Sequence, residues 1–294
     1  MLTKDLLKKI RKIEIVTERL VRDRMAGQYH SVFKGSGIAF SEVRQYMAGD
    51  DIRQIDWNVS ARMNDTYIKV FTEEREMTVL LLVDMSASGR FGSRVQEKRD
   101  LAAEIAAILA FSAIRNNDRV GLVIFTDEVE HFVPPKKGKK HVLRVISEIL
   151  SFQPRSPRTN LSAALQFVGR IARRRAVTFL ISDFLARPET FERAMRITAR
   201  RHDLVPVAIS DPLEQALPEV GLVELEDPET GEIVVFDTSG PEGKAFARDA
   251  KRALEAREGL FRRLDMDALR VSTDKPYLAA LTSFFEARAR RLRH

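Results

Sequence analysis

The chain has 294 residues, no cysteine, and 49 Lys and Arg against 42 Asp and Glu, a formal charge of +7. That length fits one large domain or two modest ones, and 44% apolar with 31% charged residues is a globular composition rather than a disordered one. Without cysteine there is no disulfide framework, thiol nucleophile or thiolate metal site. No apolar run approaches the ~18 residues of a spanning helix, and the Lys- and Arg-studded residues 1–12 lead into no signal-peptide core. A cytoplasmic protein with no membrane span is therefore expected.

The basic excess is local. Residues 1–27 hold eight Lys and Arg and four acids, and residues 284–294 hold four Arg and one Glu, so 28–283 carries 37 charges of each sign. Two readings stand for the basic ends: solvated helix faces, or a docking surface for an acidic partner or a membrane surface.

In chain order, residues 3–26 read as one amphipathic helix, with Leu6, Ile10, Ile13, Val16 and Leu20 on its apolar face and Gly27 as its stop. Residues 28–76 read as an extended arm with short strands, punctuated by turns at Gly35-Ser36-Gly37 and Gly49-Asp50-Asp51 and containing the single tryptophan, Trp57. From Thr78 onward strands alternate with helices. Strands are expected over 78–83, 119–125, 129–133, 176–182, 204–209 and 268–272, with a hairpin within 221–238. Helices are expected over 95–114, 139–150, 161–173, 189–201, 243–263 and 277–291. The tight turn at Asp127-Glu128 makes strand 129–133 antiparallel to its predecessor. This pattern argues for an α/β fold with an open, mostly parallel, doubly wound sheet carrying one antiparallel strand. Two regions follow: 1–77, an N-terminal helix and extended β arm packing on the main domain, and 78–294, the main domain with its C-terminal helices.

The residues that carry chemistry begin at Asp84-Met85-Ser86-Ala87-Ser88. In extended chain, residues two apart face one side, so Asp84, Ser86 and Ser88 can aim three hard oxygens at one point. Such a set suits Mg²⁺, with Mn²⁺ or Ca²⁺ equally acceptable to oxygen ligands. Alone, the motif reads as readily as a cap or a turn. Counting strand and helix directions adds to it, because the loop 152–160 with Thr159, and Asp183 after strand 176–182, arrive at the same end of the sheet as Asp84. Ligands of open α/β sheets bind at that end.

These residues resemble the metal-ion-dependent adhesion site of von Willebrand factor A domains, which have Asp-x-Ser-x-Ser, then a Thr, then an Asp. The resemblance covers about 78–275 and implies a Rossmann-type, von Willebrand A-like fold. It implies that Ser86, Ser88 and Thr159 approach the metal, while Asp84 and Asp183 act directly or through water. One departure is Arg158, where the family often has Gly. A narrower resemblance covers nearly the whole chain. Phe33-Lys34-Gly35-Ser36-Gly37, Val43-Arg44-Gln45-Tyr46, Gly49-Asp50-Asp51-Ile52-Arg53-Gln54-Ile55-Asp56-Trp57 and Ala61-Arg62 are similar to the signature of a bacterial family, number fifty-eight among the domains of unknown function. Its members join this signature to an A-like domain, and their genes tend to lie beside MoxR-type AAA+ ATPases. The resemblance implies a metal-dependent, protein-binding adaptor or co-chaperone, not an enzyme, whose partner is such an ATPase or its client and supplies an acidic residue to the metal.

Two rivals are weighed against it. A Mg²⁺-dependent phosphoester hydrolase or phosphotransferase would use Asp84 as nucleophile, but Ser86 stands where haloacid-dehalogenase-type enzymes have their acid, and a hydroxyl cannot supply that proton near neutral pH. Nucleic-acid binding through the basic ends has charge but no reading motif behind it. Elsewhere, Asp50, Asp51 and Asp56 read as caps and ion pairs of Arg44, Arg53 and Arg62 rather than a second metal cluster, with Asp50 the cap. Trp57 reads as an anchor pinning the arm to the main domain. Lys136-Lys137-Gly138-Lys139-Lys140 lacks the rest of a P-loop and lies at the opposite end of the sheet. His30, His131, His141, His202 and His294 are scattered, which leaves zinc and triad chemistry without support.

Overall fold

A computed structural model describes residues 4–20, 29, 32–33, 37–74, 76–92, 96–227 and 231–291. The expected end of the first helix at 21–27, the turn at 35–37, the helix start at 95 and the hairpin tip at 228–231 fall wholly or partly outside those residues. The chain divides into two compact units, residues 1–33 with 78–294, and residues 34–77.

Helix α1 (Lys4–Leu20) opens the large unit. Among its described side chains Ile10, Ile13 and Thr17 are buried, whereas Val16, expected inside, is 41% exposed, and the side chain of Leu6 lies outside the described ones. The apolar stripe thus drifts by one position, and Thr17 takes the place assigned to Val16.

The small unit is built on β1 (Gly37–Gln45) and β2 (Tyr67–Glu74), an antiparallel pair with a register shift between Phe40 and Glu42. The connection between them carries the signature acids, and each acid has a local task. Asp50 grips the Arg44 guanidinium with both oxygens, at 2.8 and 2.6 Å, and accepts the Met47 amide. Asp51 caps the short turn Ile52–Gln54 through the Arg53 amide. Asp56 caps α2 (Trp57–Met63) by accepting from the Asn58 and Val59 amides, and its other oxygen lies 3.5 Å from Lys69. The structural reading of these acids therefore holds with its roles exchanged: Asp51 and not Asp50 caps the turn, and Asp56 pairs with Lys69 and not Arg62. Among the described residues no group of three or more His, Asp or Glu side chains is placed to share an ion. Trp57, read as the anchor of the arm, is 72% exposed.

In the large unit, β3 (Thr78–Asp84), α3 (Lys98–Arg115), β4 (Arg119–Phe125) and β5 (Val129–Lys136) are followed by α4 (Lys139–Ser151) and α5 (Leu161–Ile171). Then come β6 (Val177–Ser182), α6 (Glu192–Arg201), β7 (Asp203–Ser210), the hairpin β8 (Leu222–Glu226) and β9 (Ile233–Asp237), α7 (Pro241–Arg263), β10 (Leu269–Ser272) and α8 (Tyr277–Arg291). Six strands form one sheet in the order β10-β7-β6-β3-β4-β5. All its pairings are parallel except β4 with β5. This is the open, mostly parallel, doubly wound sheet expected, with its antiparallel strand at the edge.

Parallel strands covered on both faces read as unbroken apolar runs, and β3 (TVLLLVD) is buried from Val79 to its end. Leu80 and Leu82 join Leu165, Val168, Phe184 and Phe261 in the core under α5, α6 and α7. Side-chain alternation sends Val79, Leu81 and Val83 to the opposite face. There α3, which is buried on nearly every side, fills the layer, and α1 and α4 cover it.

The C-terminal basic segment is partly consumed by this fold. Arg288 is 7% exposed. It pairs with Asp203 at 2.5 Å and Asp267 at 3.3 Å, and lies 4.8 Å from the centre of the Phe33 ring. Arg291 reaches Asp265 and Asp267. Removing one member of a buried ion pair leaves its partners charged and dry, which costs about 3–5 kcal/mol. Arg288→Ala is therefore expected to lower unfolding free energy by about 3 kcal/mol or more in urea titration, while Arg290→Ala, at an exposed position, shifts it by less than about 0.5 kcal/mol.

Candidate metal centre

The order of the sheet places a switch point between β3 and β6, because the chain leaves β3 toward β4 on one side and returns as β6 on the other. Asp84 ends β3, and Ser182 and Asp183 end β6. The loop 152–160 is tied to the same end: the Ala87 amide donates to the Pro157 carbonyl at 2.8 Å, and the Asn160 amide to the Thr126 carbonyl at 2.8 Å. Arg99 fixes the start of that loop by donating to the Phe152 carbonyl. Asn160 ends it by capping α5 through the Ala163 amide.

Asp84 is the hub. Its Oδ1 accepts from the Ser86 amide at 3.0 Å, and its Oδ2 accepts from Thr159 Oγ1 at 2.8 Å and Ser182 Oγ at 2.7 Å. Ser86 stands at the N-cap of the turn Ala87–Arg90, but its hydroxyl caps nothing and instead lies 3.1 Å from Ser88 Oγ. The capping reading thus fails for Ser86, while the Asp84–Ser86 pairing is a local turn of the kind Asp favours. A recess of about 20 Å³ lies between Asp84, Ser86, Ser88, Lys98, Ser182 and Asp183, about room for one water or one small ion. Of the five residues predicted, Asp84, Ser86 and Ser88 line this recess together with Asp183, and Thr159 joins through its bond to Asp84.

Asp183 has further partners. Its Oδ2 accepts from Lys98 Nζ at 2.6 Å, its Oδ1 from the Leu185 amide at 3.2 Å, and its carbonyl from Arg257 Nη1 at 3.1 Å. Lys98 also donates to Glu214 Oε1, and the other Glu214 oxygen accepts the Asp211 amide. Directly after Asp183, Phe184 has φ 55°, a left-handed conformation that a bulky residue adopts only under constraint. Its buried ring packs on Phe191 and Phe261, and its amide donates to Ser182 Oγ at 3.1 Å.

Four residues of this arrangement were missed from sequence: Lys98, Ser182, Glu214 and Arg257. Lys98 carried a signal, since a cation in the first turn of a helix opposes the helix dipole. Ser182 carried one too, as a second hydroxyl at a strand end beside an Asp. Glu214 and Arg257 come from loops and helices far along the chain and carried none.

Burial pushes the Asp84 carboxyl above the usual range, and the Asp183 charge adds to that, against the bonds from Ser86 and Ser182. Burial pulls Lys98 down, but Asp183 and Glu214 outweigh it and hold its ammonium above the usual range. The donor set fits a hard divalent cation: one carboxylate, three hydroxyls and a second carboxylate around a recess of ionic size.

A family model described as "Protein of unknown function DUF58" matches residues 42–256. The uncharacterized protein Rv1480 of Mycobacterium tuberculosis is 33% identical over 96% of this chain and 89% of its own length. Among solved structures, BatB from Bacteroides thetaiotaomicron aligns over 73% of this chain and 99% of its own, with 14% identity and a TM-score of 0.48. The VWA domain of SpRpn10 aligns over 70% and 93%, with 12% identity and a TM-score of 0.39.

A raised carboxyl pKa means that the fold disfavours the charged form relative to water. The stability this lends is present below the unfolded pKa and lost as pH rises through the folded one, so at neutral pH the charged side chain burdens the apo protein. Asp84→Asn is expected to raise the melting temperature in chelator. Thermal scans with added Mg²⁺ are expected to stabilise the parent protein and leave Asp84→Asn unmoved.

Proposed function

The chain belongs to the DUF58 family, and on that premise we propose that it is a metal-dependent, protein-binding adaptor without catalytic activity of its own. Asp84, Ser86, Ser88 and Thr159 hold a Mg²⁺ ion, or Mn²⁺ or Ca²⁺ in its place, with Asp183 in support. The bound ion supplies an electrophilic position for a carboxylate from the partner. The partner is a MoxR-type AAA+ ATPase or its client, and the role is that of an adaptor or co-chaperone. The observation that carries this reading is the convergence of three separate segments on one carboxylate. The turn after β3, the loop 152–160 and the end of β6 all donate to Asp84.

Two carboxylates in direct contact would just neutralise a divalent ion; with Asp183 acting through water and hydroxyls as the remaining ligands, the ion keeps part of its charge and attracts a further anionic oxygen. Partner binding is then directional as well as metal-dependent.

The rival with Asp84 as a phosphate-accepting nucleophile is disfavoured by the same bonds. Both Asp84 oxygens are engaged by donors, and the position two residues on is a serine. The nucleic-acid rival rested on the basic ends, and Arg288 and Arg291 are taken by Asp203, Asp265 and Asp267. No described helix is long and apolar enough to cross a membrane.

Binding of the full chain to a purified MoxR-type ATPase tests the reading. In Mg²⁺ the pair is expected to associate, with at least about a tenfold loss in chelator and the same loss for Asp84→Ala measured in Mg²⁺. The variant arm separates this site from any need of the ATPase for its own metal. Association that survives both changes overturns the mechanism.

A further inference from the structure

Lys98 is the feature that an adhesion-type metal site does not require. It is 2% exposed, and it stands at the N-terminal end of α3, where the helix dipole disfavours a cation. An ammonium is buried in such a place only when anions compensate it. Here the anions are Asp183, at 2.6 Å, and Glu214. One of these two is a carboxylate of the metal site itself. The other Asp183 oxygen is taken by the Leu185 amide, so the side chain has a donor on each oxygen.

A divalent ion entering the recess meets Asp84, the hydroxyls of Ser86, Ser88 and Ser182, and Asp183, a carboxylate already paired with Lys98; Lys98 and Arg99 line the same recess. We propose that Lys98 is the affinity-setting residue of the site, a built-in cation that competes with the metal for Asp183 and keeps metal binding weak in the free protein. Glu214 is the second seat of that cation. When Lys98 moves fully onto Glu214, Asp183 is released toward the metal, and the site gains its second carboxylate. A partner carboxylate that completes the metal then favours the released arrangement, so metal and partner bind cooperatively. This inference rests on the metal-binding reading above.

The test is a titration of the full chain with Mn²⁺, following free Mn²⁺ by electron paramagnetic resonance. Lys98→Met removes the charge and keeps a linear side chain; it is expected to tighten Mn²⁺ binding at least about tenfold. Lys98→Arg keeps the charge and is expected to leave binding at or below the parent level. Should Lys98→Met fail to fold because two carboxylates are left dry, the double variant Lys98→Met with Glu214→Gln leaves only the site's own carboxylate uncompensated, and it carries the same expectation. A folded variant lacking the ammonium that binds Mn²⁺ no more tightly than the parent overturns the role of Lys98. If the parent's binding is then abolished by Asp84→Ala, the metal site itself stands. Absence of Asp84-dependent binding in the parent and in both charge-removed variants overturns the metal reading and this inference together.

Discussion

A charged side chain at the end of a fully buried strand is costly unless donors surround it. Asp84 is such a side chain, and the local structure is arranged to satisfy it. The Ser86 amide comes from the turn that follows, the Thr159 hydroxyl from a loop 75 residues on, and the Ser182 hydroxyl from the neighbouring strand. Each bond fixes one segment, and together they bring the three segments to one recess. The left-handed backbone at Phe184 belongs to the same arrangement, since its amide holds Ser182 in place while its ring is locked among Phe191 and Phe261. Local strain at that residue is tolerated because the packed rings overdetermine it.

Electrostatics divides the site into two halves. On the Asp84 side the donors are neutral hydroxyls and an amide, and burial makes the charge of the carboxylate costly. On the Asp183 side the charge is answered from within the protein by Lys98, with Glu214 sharing the ammonium. The two carboxylates thus differ: one is met by neutral donors, the other by an ammonium shared with Glu214.

Much of this was legible in the sequence, and the reasons differ by element. The buried strands read clearly because parallel strands are apolar throughout, and strand 119–125 was placed with both its ends correct. Counting directions from one tight turn was enough to bring Asp84, Thr159 and Asp183 to one end of the sheet. The short helix Trp57–Met63 was not foreseen, since seven residues carry little periodicity and its start depends on the Asp56 cap. Thr17 replaced Val16 on the buried face of the first helix because packing on α3 and α4 decides the stripe, not hydropathy alone. Lys98 was hidden for a related reason. A lysine in a first helical turn looks solvated until the fold brings Asp183 and Glu214 to it from 85 and 116 residues away.

The central claim is that the Asp84 recess holds a divalent cation. Its most direct test is a crystal of the full chain grown or soaked in saturating Mn²⁺ and measured for anomalous scattering. The account predicts a single strong peak in the recess, bonded to the hydroxyls of Ser86, Ser88 and Thr159, with Asp84 beside it directly or through one water. A recess that stays free of anomalous density at saturating Mn²⁺, with Thr159 and Ser182 still donating to Asp84, would contradict it.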